Sequence, residues 1–525
     1  MTQPTIIHRV KKSKEIVLKI GLGLTMVISL SACNIGSKKD APPSETTLLD
    51  SQLSQIITQL NLNQHPQRDL PAISEALPQL GKKLFFSKSL GGDFDSACVT
   101  CHHPALGGAD QLSLSVGVDA KNPDLLGRGR VHNNGLPEVP RNAPTVFNIG
   151  LWDRGLFHDS RVESLNFVAG TNGSNGNIRT PDSVVNTADV NAGQNMVAAQ
   201  ARFPVTSAEE MRGSSFESGN SNEDVRNHLA ARIGDYGASS GELGTNDWLV
   251  EFQQAFARND SAENLISFNN IAQAIGEYER SMQFANHPWQ NYMDGELVAM
   301  TEQQKEGAVL FFSTPEDGGA GCVVCHSGRL FSDEQHHAVA FPQIGPGKGD
   351  GINGSAGDDD FGRARETGNN NDRYHFRTAS LLNLKVSAPY GHSGSFQSLE
   401  RVVRHYINPE GSVQNYFNRN ELCQLEQFED LIEGGTTTCE NLYPNAETNS
   451  LLAVAKLNQE QQARTSLLPR IELNDREVNQ LVSFLQALTD PCVESSACLS
   501  DWIPAANEAS DNHQLNAIDH DGQLL

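Results

Sequence analysis

The sequence has little positive charge and, after its first 30 residues, no long apolar run. Lys and Arg number 39 against 64 Asp and Glu, which gives a formal net charge of −25. This sign argues against nucleic acid as a partner, because phosphate binding needs basic side chains. No later stretch is apolar and long enough to cross a bilayer. The 525 residues have an ordinary globular composition, and their length suggests two or more domains.

The N-terminus has the order of an export signal. Five basic residues between Arg9 and Lys19 precede an apolar run at 20–30, which is too short to span a membrane and ends in Ser31-Ala32-Cys33. This end resembles the lipobox of bacterial lipoproteins, and an ordinary signal peptide is the alternative. We predict a signal peptide at 1–32, a lipid on Cys33 and a polar tether at 33–45. The protein would then be lipid-anchored on the periplasmic side of the envelope, with the outer membrane favoured by Asn34.

The nine cysteines fall into three groups. Cys33 takes the lipid, and two C-x-x-C pairs take four more. The cysteines that remain are Cys423, Cys439, Cys492 and Cys498. Because export places them in an oxidising compartment, two disulfides are expected. Neighbours in the sequence favour Cys423–Cys439 and Cys492–Cys498, and the other two pairings stay open.

An internal repeat surrounds the two C-x-x-C pairs. The pattern G-x-x-L-F-F-S begins at Gly81 and again at Gly307, each time a short loop ahead of C-x-x-C-H. We predict a mainly α protein with two cytochrome c-like helical domains, at 46–289 and 290–490. An insertion at about 411–469 belongs to the second domain, and a disulfide-bearing tail follows at 491–525. Loops rich in Gly, Asn and Asp are expected at 169–193 and 345–372.

Apolar periodicity predicts individual helices. Between residues 263 and 283, apolar side chains recur at helical spacing through Phe268, Ile271 and Ile275. The last helix begins at a capping-box-like pair, Asn474 and Glu477, and continues with one apolar face. Both faces are interpreted as core packing.

The C-x-x-C-H motifs at 98–102 and 322–326 predict two covalent haems. Two thiols on a turn can add to the two vinyl groups of haem, and the following histidine, His102 or His326, then ligates the iron. The cysteines concerned are Cys98, Cys101, Cys322 and Cys325. A zinc site would need the four thiols to converge, and a thioredoxin-like dithiol would need an α/β pattern that is absent.

At this point the chain resembles the bacterial di-haem cytochrome c peroxidase family, which includes the MauG type of protein-modifying enzyme. Besides the haem sites, the resemblance rests on PRNAPTV at 140–146, FHDSR at 157–161, Pro204-Val205 with Glu210-Met211, and Phe376-Arg377 with APYGHSG at 388–394. It covers most of the chain from about residue 70 to 490.

The resemblance implies that peroxide reacts at the N-terminal haem. Glu210 matches the catalytic glutamate of the family, Gln200 a glutamine of the same pocket and Pro204 a proline near the open position. Cleavage of the peroxide bond needs a group that moves a proton between the two oxygens. Many members close this haem with a loop histidine, whose position Val118 occupies here. We therefore expect a permanently open haem, with His132 as the rival ligand.

The second haem lacks the methionine ligand that many members use, because no methionine follows Met300. Tyr406 stands at the matching position, as in MauG-type proteins, and a phenolate lowers the potential of the iron. His405 or water is the alternative ligand. Where relatives place a tryptophan between the haems, this chain has His158, and Trp152 is a possible substitute. The resemblance also implies calcium bound by Asn142 and by carbonyls near Ser387 and Pro389, and haem propionates paired with Arg377.

Three functions follow. The first is reduction of hydrogen peroxide at the N-terminal haem, with electrons relayed through the second haem from a small cytochrome c or a cupredoxin. A donor protein would present a basic face to this acidic chain. The second is a MauG-like, peroxide-dependent oxidation of a protein or small molecule. The third is a non-catalytic electron-transfer cytochrome, against which Glu210 and the missing loop histidine argue.

Overall fold

A computed structural model describes residues 47–63, 68–348 and 357–525. The expected signal peptide, Cys33 and the tether lie outside the described residues. From Thr47 to Leu525 the chain forms one unit, and none of its described helices has the length and apolarity needed to cross a membrane.

The described chain is mainly helical, as predicted. The helices of the first half are α1 Leu48–Leu60, α2 Ala76–Phe85, α3 Met196–Gln200, α4 Asn222–Gly234, α5 Trp248–Phe256, α6 Ala262–Leu265, α7 Phe268–Ser281 and α8 Pro288–Met293. The helices of the second half are α9 Glu302–Phe312, α10 Ala364–Thr367, α11 Leu399–Ile407, α12 Pro409–Asn418, α13 Glu426–Glu433, α14 Ala446–Ala463, α15 Asp475–Gln486 and α16 Ser496–Leu499.

Two small antiparallel sheets lie between the helical parts. The first joins the strands β1 Gly155–Leu156, β2 Val162–Ser164 and β3 Ile178–Arg179 in that order. The second pairs β4 His336–Ala338 with β5 His375–Arg377, with His336 opposite Arg377. Both sheets carry residues that face the site described below.

The sequence repeat has the same structural role in both copies. Helix α2 packs on α7, and α9 packs on α15. A Cβ on Gly81 would lie 1.9 Å from the Ala274 carbonyl oxygen, and a Cβ on Gly307 would lie 2.0 Å from that of Gln480. The repeated glycine is therefore needed because the two helix backbones approach too closely for any side chain.

The helix predictions hold with one difference. Helix α15 begins at the capping box of Asn474 and Glu477, as predicted. The segment 263–283 is not one helix, because it breaks between α6 and α7. There the side chain of Ser267 accepts a hydrogen bond from the Asn270 backbone and starts a new helix.

The apolar core has two main clusters. One surrounds α2 and α7 and includes Val493 and Leu515 from the C-terminal tail. The other surrounds α9 and α15 and also takes in Leu53 and Val197 from the first half. The division into domains at 289/290 stays a prediction.

The insertion and the tail each contain a disulfide between sequence neighbours, Cys423–Cys439 and Cys492–Cys498. The insertion lies against the first half of the chain. There the Gln427 side chain bonds both backbone groups of Leu114, donating to the carbonyl at 2.7 Å and accepting from the amide at 3.0 Å.

Candidate active site

A cavity of about 700 Å³ is lined by residues of both C-x-x-C-H motifs. Its lining is mainly apolar, with a few charged side chains from both halves. Cavities of this size and character are the usual sites of small molecules and cofactors.

The first motif sits on a short helical turn that follows α2. The His102 ring donates through Nδ1 to the Gly108 carbonyl at 3.2 Å. This bond leaves Nε2 as the ligand atom. Burial lowers the pKa of His102 to about 4, so the imidazole is neutral and able to ligate a metal at neutral pH. Cys98 and Cys101 form no disulfide and line the same cavity.

The second motif repeats this arrangement after α9. Nδ1 of His326 donates to the Phe331 carbonyl at 2.9 Å, and burial lowers the pKa of this histidine. Cys322 and Cys325 are also free thiols at the cavity wall. Each motif thus offers two thiols and one oriented imidazole, which is the donor set of a covalent haem.

A further observation fits a haem in this cavity. Arg377 lines it, and its buried Nη1 atom has no hydrogen-bond partner among the described residues. Its Nε donates to the Phe157 carbonyl at 3.0 Å. Burial lowers the pKa of Arg377 to about 10, so the guanidinium remains charged. A buried nitrogen without an acceptor is costly, and a haem propionate would provide that acceptor.

Glu210, Gln200 and Pro204 all line the cavity. Glu210 lies in a π-helical turn, Ala208–Arg212, and its side chain is 24% exposed. Nη2 of Arg161 lies 3.9 Å from its carboxylate. The structure therefore places a guanidinium near the Glu210 carboxylate, in the wall of the cavity that Gln200 also lines.

The loop at 115–118 is fixed against the backbone of Glu210. A Cβ on Gly117 would lie 2.4 Å from the Glu209 and Glu210 carbonyl oxygens. Buried Arg130 donates to the carbonyls of Val116 and Gly117 at 2.6 and 2.7 Å.

His132, the rival ligand, is held away from this cavity. It is buried elsewhere, with Nδ1 accepting from the Asn134 backbone at 3.1 Å. It is not among the described residues that line the cavity.

Tyr406 and His405 point in different directions from α11. Tyr406 lines the cavity, with its ring centroid 6.4 Å from that of His326. His405 is fully buried and donates from Nε2 to the Val339 carbonyl at 2.8 Å. Of these two candidate ligands, the geometry favours Tyr406.

His158 and Trp152 both line the cavity. The His158 ring bonds the Asn142 carbonyl from Nε2 at 3.1 Å. The guanidinium carbon of Arg377 lies 3.5 Å from the centre of the Trp152 ring. A cation in this position opposes removal of an electron from the indole, so Trp152 is a poor substitute for a redox-active tryptophan.

The suggested calcium ligands Asn142, Ser387 and Pro389 all line the cavity. The Asn142 side chain donates from Nδ2 to the Leu112 carbonyl at 2.8 Å. Its role as a ligand stays a prediction.

Two residues of the site had no role assigned from the sequence. Arg161 lies in the FHDSR motif, but its approach to Glu210 depends on the fold. Glu279 is buried at the cavity wall beside Cys98. Its signal in the sequence is a carboxylate one turn after Ile275, on the apolar face of a helix.

Comparison with known proteins gives consistent relatives. The family model described as di-haem cytochrome c peroxidase matches residues 75–297. Cytochrome c551 peroxidase of Pseudomonas aeruginosa is 27% identical over 331 residues, which cover 63% of this chain and 71% of that protein. Methylamine utilization protein MauG of Methylorubrum extorquens is 27% identical over 331 residues, 62% of this chain and 67% of that protein.

Among solved structures, a MauG-like protein associated with microbial copper homeostasis is 21% identical, with a TM-score of 0.49; the match covers 83% of this chain and 96% of that one. The diheme peroxidase BthA of Burkholderia thailandensis is 19% identical, with a TM-score of 0.45, over 85% of this chain and 90% of that one. The family match and the curated relatives support a member of the di-haem cytochrome c peroxidase/MauG family, with the chemistry of an oxidoreductase.

Proposed function

We propose that this protein reduces hydrogen peroxide at the His102 site with electrons that arrive through the His326 site. The supporting observation is a single cavity lined by both C-x-x-C-H motifs and by Glu210 and Gln200. Haem iron bound at these motifs would supply the electron transfers that cleave the oxygen–oxygen bond.

Side chains around the first site transfer the proton and orient the peroxide. Glu210 is the acid/base that carries a proton from one peroxide oxygen to the other. Gln200 offers a neutral amide to orient the bound peroxide, and Arg161 holds positive charge 3.9 Å from Glu210. The loop at 115–118, which is held by Arg130, carries Val118 in place of the loop histidine that the resemblance implies, and this supports a site that stays open.

The two C-x-x-C-H turns differ in exposure, and this difference favours entry of electrons at the second site. Val99 and Thr100 of the first turn are buried, whereas Val324 of the second turn is 48% exposed. A donor protein can therefore approach the second turn more closely than the first. A small cytochrome c or a cupredoxin with a basic face fits this acidic protein.

A second candidate, peroxide-dependent oxidation of a protein or small molecule in the manner of MauG, is favoured by Tyr406. A phenolate ligand stabilises oxidised iron, which suits storage of oxidising equivalents. We further propose a lipid anchor at Cys33, from the N-terminal sequence, and calcium at Asn142, from the resemblance and from its place in the cavity wall.

Glu210→Gln is the test of the proposed reaction. We expect peroxide turnover with a reduced small cytochrome c to fall about 10²- to 10⁴-fold, because the amide cannot shuttle a proton. Haem content, measured on the same preparation, should not change.

The matched control is Glu209→Gln. Glu209 is exposed and accepts a hydrogen bond from the Ser207 hydroxyl, so the variant should turn over peroxide like the unmodified protein. Equal activity of the two variants would refute the role of Glu210. Inactivity of the unmodified protein towards every reduced cytochrome and cupredoxin, with oxidation of another substrate by peroxide, would favour the MauG-like candidate.

A further inference from the structure

Glu279 is a carboxylate that the proposed reaction does not use. It lies in α7, is 3% exposed and lines the cavity beside Cys98. Its Oε2 has no hydrogen-bond partner among the described residues. A buried carboxylate without a partner is costly to keep in a protein.

Glu279 forms no ion pair with a cation among the described residues, and burial raises its pKa to about 8. The titratable groups that face it are Tyr278, which donates to the Trp502 carbonyl, and Cys98. The basic residues of the packed helices α2 and α4 are directed to other partners: Lys82 to the Asp501 carbonyl, Lys83 to Glu251, Arg226 to Asp182 and Arg232 to Glu242.

Glu277, two residues earlier on α7, shows the opposite arrangement. It is also buried, but it forms an ion pair with Arg280 and accepts a hydrogen bond from Asn195 at 3.1 Å. The charge of Glu277 is therefore balanced locally, whereas among the described residues the charge of Glu279 is not, and a group held in the cavity could balance it.

We propose that Glu279 takes up one proton when the N-terminal haem gains an electron, and releases it when that haem is oxidised. The inference rests on attachment of haem at Cys98 and Cys101, but not on the identity of the final substrate. The role of Glu279 is to compensate the change in the charge of the haem.

The electron and proton balance is simple. A reduced mediator or donor protein supplies one electron to the ferric haem, and solvent supplies one proton to the Glu279 carboxylate. The positive ferric site favours ionised Glu279, so the acid is weaker in the reduced protein than in the oxidised one. Between the two pKa values, the reduction potential falls as the pH rises.

The experiment is a spectroscopic redox titration of the two-haem protein from pH 6 to pH 10. We expect the potential of the N-terminal haem to fall with pH, with a slope that approaches one proton per electron. In Glu279→Gln the potential should be independent of pH over this range and higher than that of the unmodified protein at pH 10. Glu279→Asp should restore the slope, and Glu277→Gln, the matched control, should keep it.

A flat profile in the unmodified protein, or a slope that survives in Glu279→Gln, would overturn the proposal. Should Glu279→Gln fail to bind haem, redox-difference infrared spectra of the unmodified protein decide the question. A deuterium-sensitive carbonyl band of a protonated carboxylic acid that follows reduction is expected, and its absence contradicts the proposal. Covalent haem content, measured by mass, separates this outcome from a failure of haem attachment.

Discussion

At the scale of single residues, the side chain opposite His326 decides the properties of the second site. Tyr406 lines the cavity, and burial raises the pKa of its phenol. Only a strong Lewis acid, such as ferric iron, would hold it as the phenolate in such surroundings. The proposed ligand therefore stabilises the oxidised state of this haem.

Tyr406→Phe should raise the potential of the second haem. The change removes the anionic ligand with little change in volume, and we expect a rise on the order of 100 mV, within the ~0.8 V range that axial ligands span. Redox titration followed by the visible spectrum measures it. The control is Tyr390→Phe, since Tyr390 lines the same cavity but donates to the Leu384 carbonyl. An unchanged potential in Tyr406→Phe would exclude tyrosine ligation.

The residues of the site differ in how far the sequence could predict them. His102 and Glu210 lie in motifs whose spacing carries their chemistry. Arg161 and Glu279 do not, because their roles depend on which side chain the fold places nearby. The contact of Arg161 with Glu210 joins two segments 49 positions apart that no local pattern relates.

At the scale of elements, the repeated glycine controls how closely the helices pack. Gly81→Ala would place a Cβ 1.9 Å from the Ala274 carbonyl oxygen, so α2 and α7 must separate. We expect a loss of about 1–3 kcal/mol in the free energy of unfolding, the usual cost of overpacking. Denaturant unfolding of the two-haem protein measures it.

The control for this prediction is Gly244→Ala. A Cβ at Gly244 would meet nothing within 4 Å, so stability should change by less than about 0.5 kcal/mol. Equal stability of the two variants would show that α2 and α7 are not in close contact.

Element boundaries were less predictable than the elements themselves. The capping box at Asn474 is a local signal, and α15 begins where it predicts. The break before α7 has a weaker signal in the sequence, because apolar residues lie on both sides of the capping residue Ser267. The helix breaks there because the Ser267 side chain accepts a hydrogen bond from the Asn270 backbone, and because Ile266 and Phe268 are both buried in the cluster around α2 and α7.

At the scale of the whole molecule, the C-terminal tail packs on the segment between α2 and the first C-x-x-C-H motif. The Leu515 backbone donates to the Phe86 carbonyl at 2.8 Å, directly after α2. The buried Asp511 carboxylate accepts from the Ser87 hydroxyl at 3.1 Å and from the Trp248 indole at 2.7 Å. These contacts connect residues more than 250 positions apart, so no sequence pattern predicts them.

Leu515→Ala tests whether this tail stabilises the first half of the molecule. Leu515 is fully buried in the cluster around α2 and α7, and its truncation should cost about 2–5 kcal/mol. Because α2 leads into the first C-x-x-C-H motif, the loss should appear as earlier unfolding of the N-terminal haem, followed by its visible spectrum during denaturation. Leu524→Ala, in the same tail but at a side chain that is 65% exposed, should leave the unfolding midpoint unchanged. If both variants unfold like the unmodified protein, the tail lies on the surface of the first half without stabilising it, and the haem there depends on α2 and α7 alone.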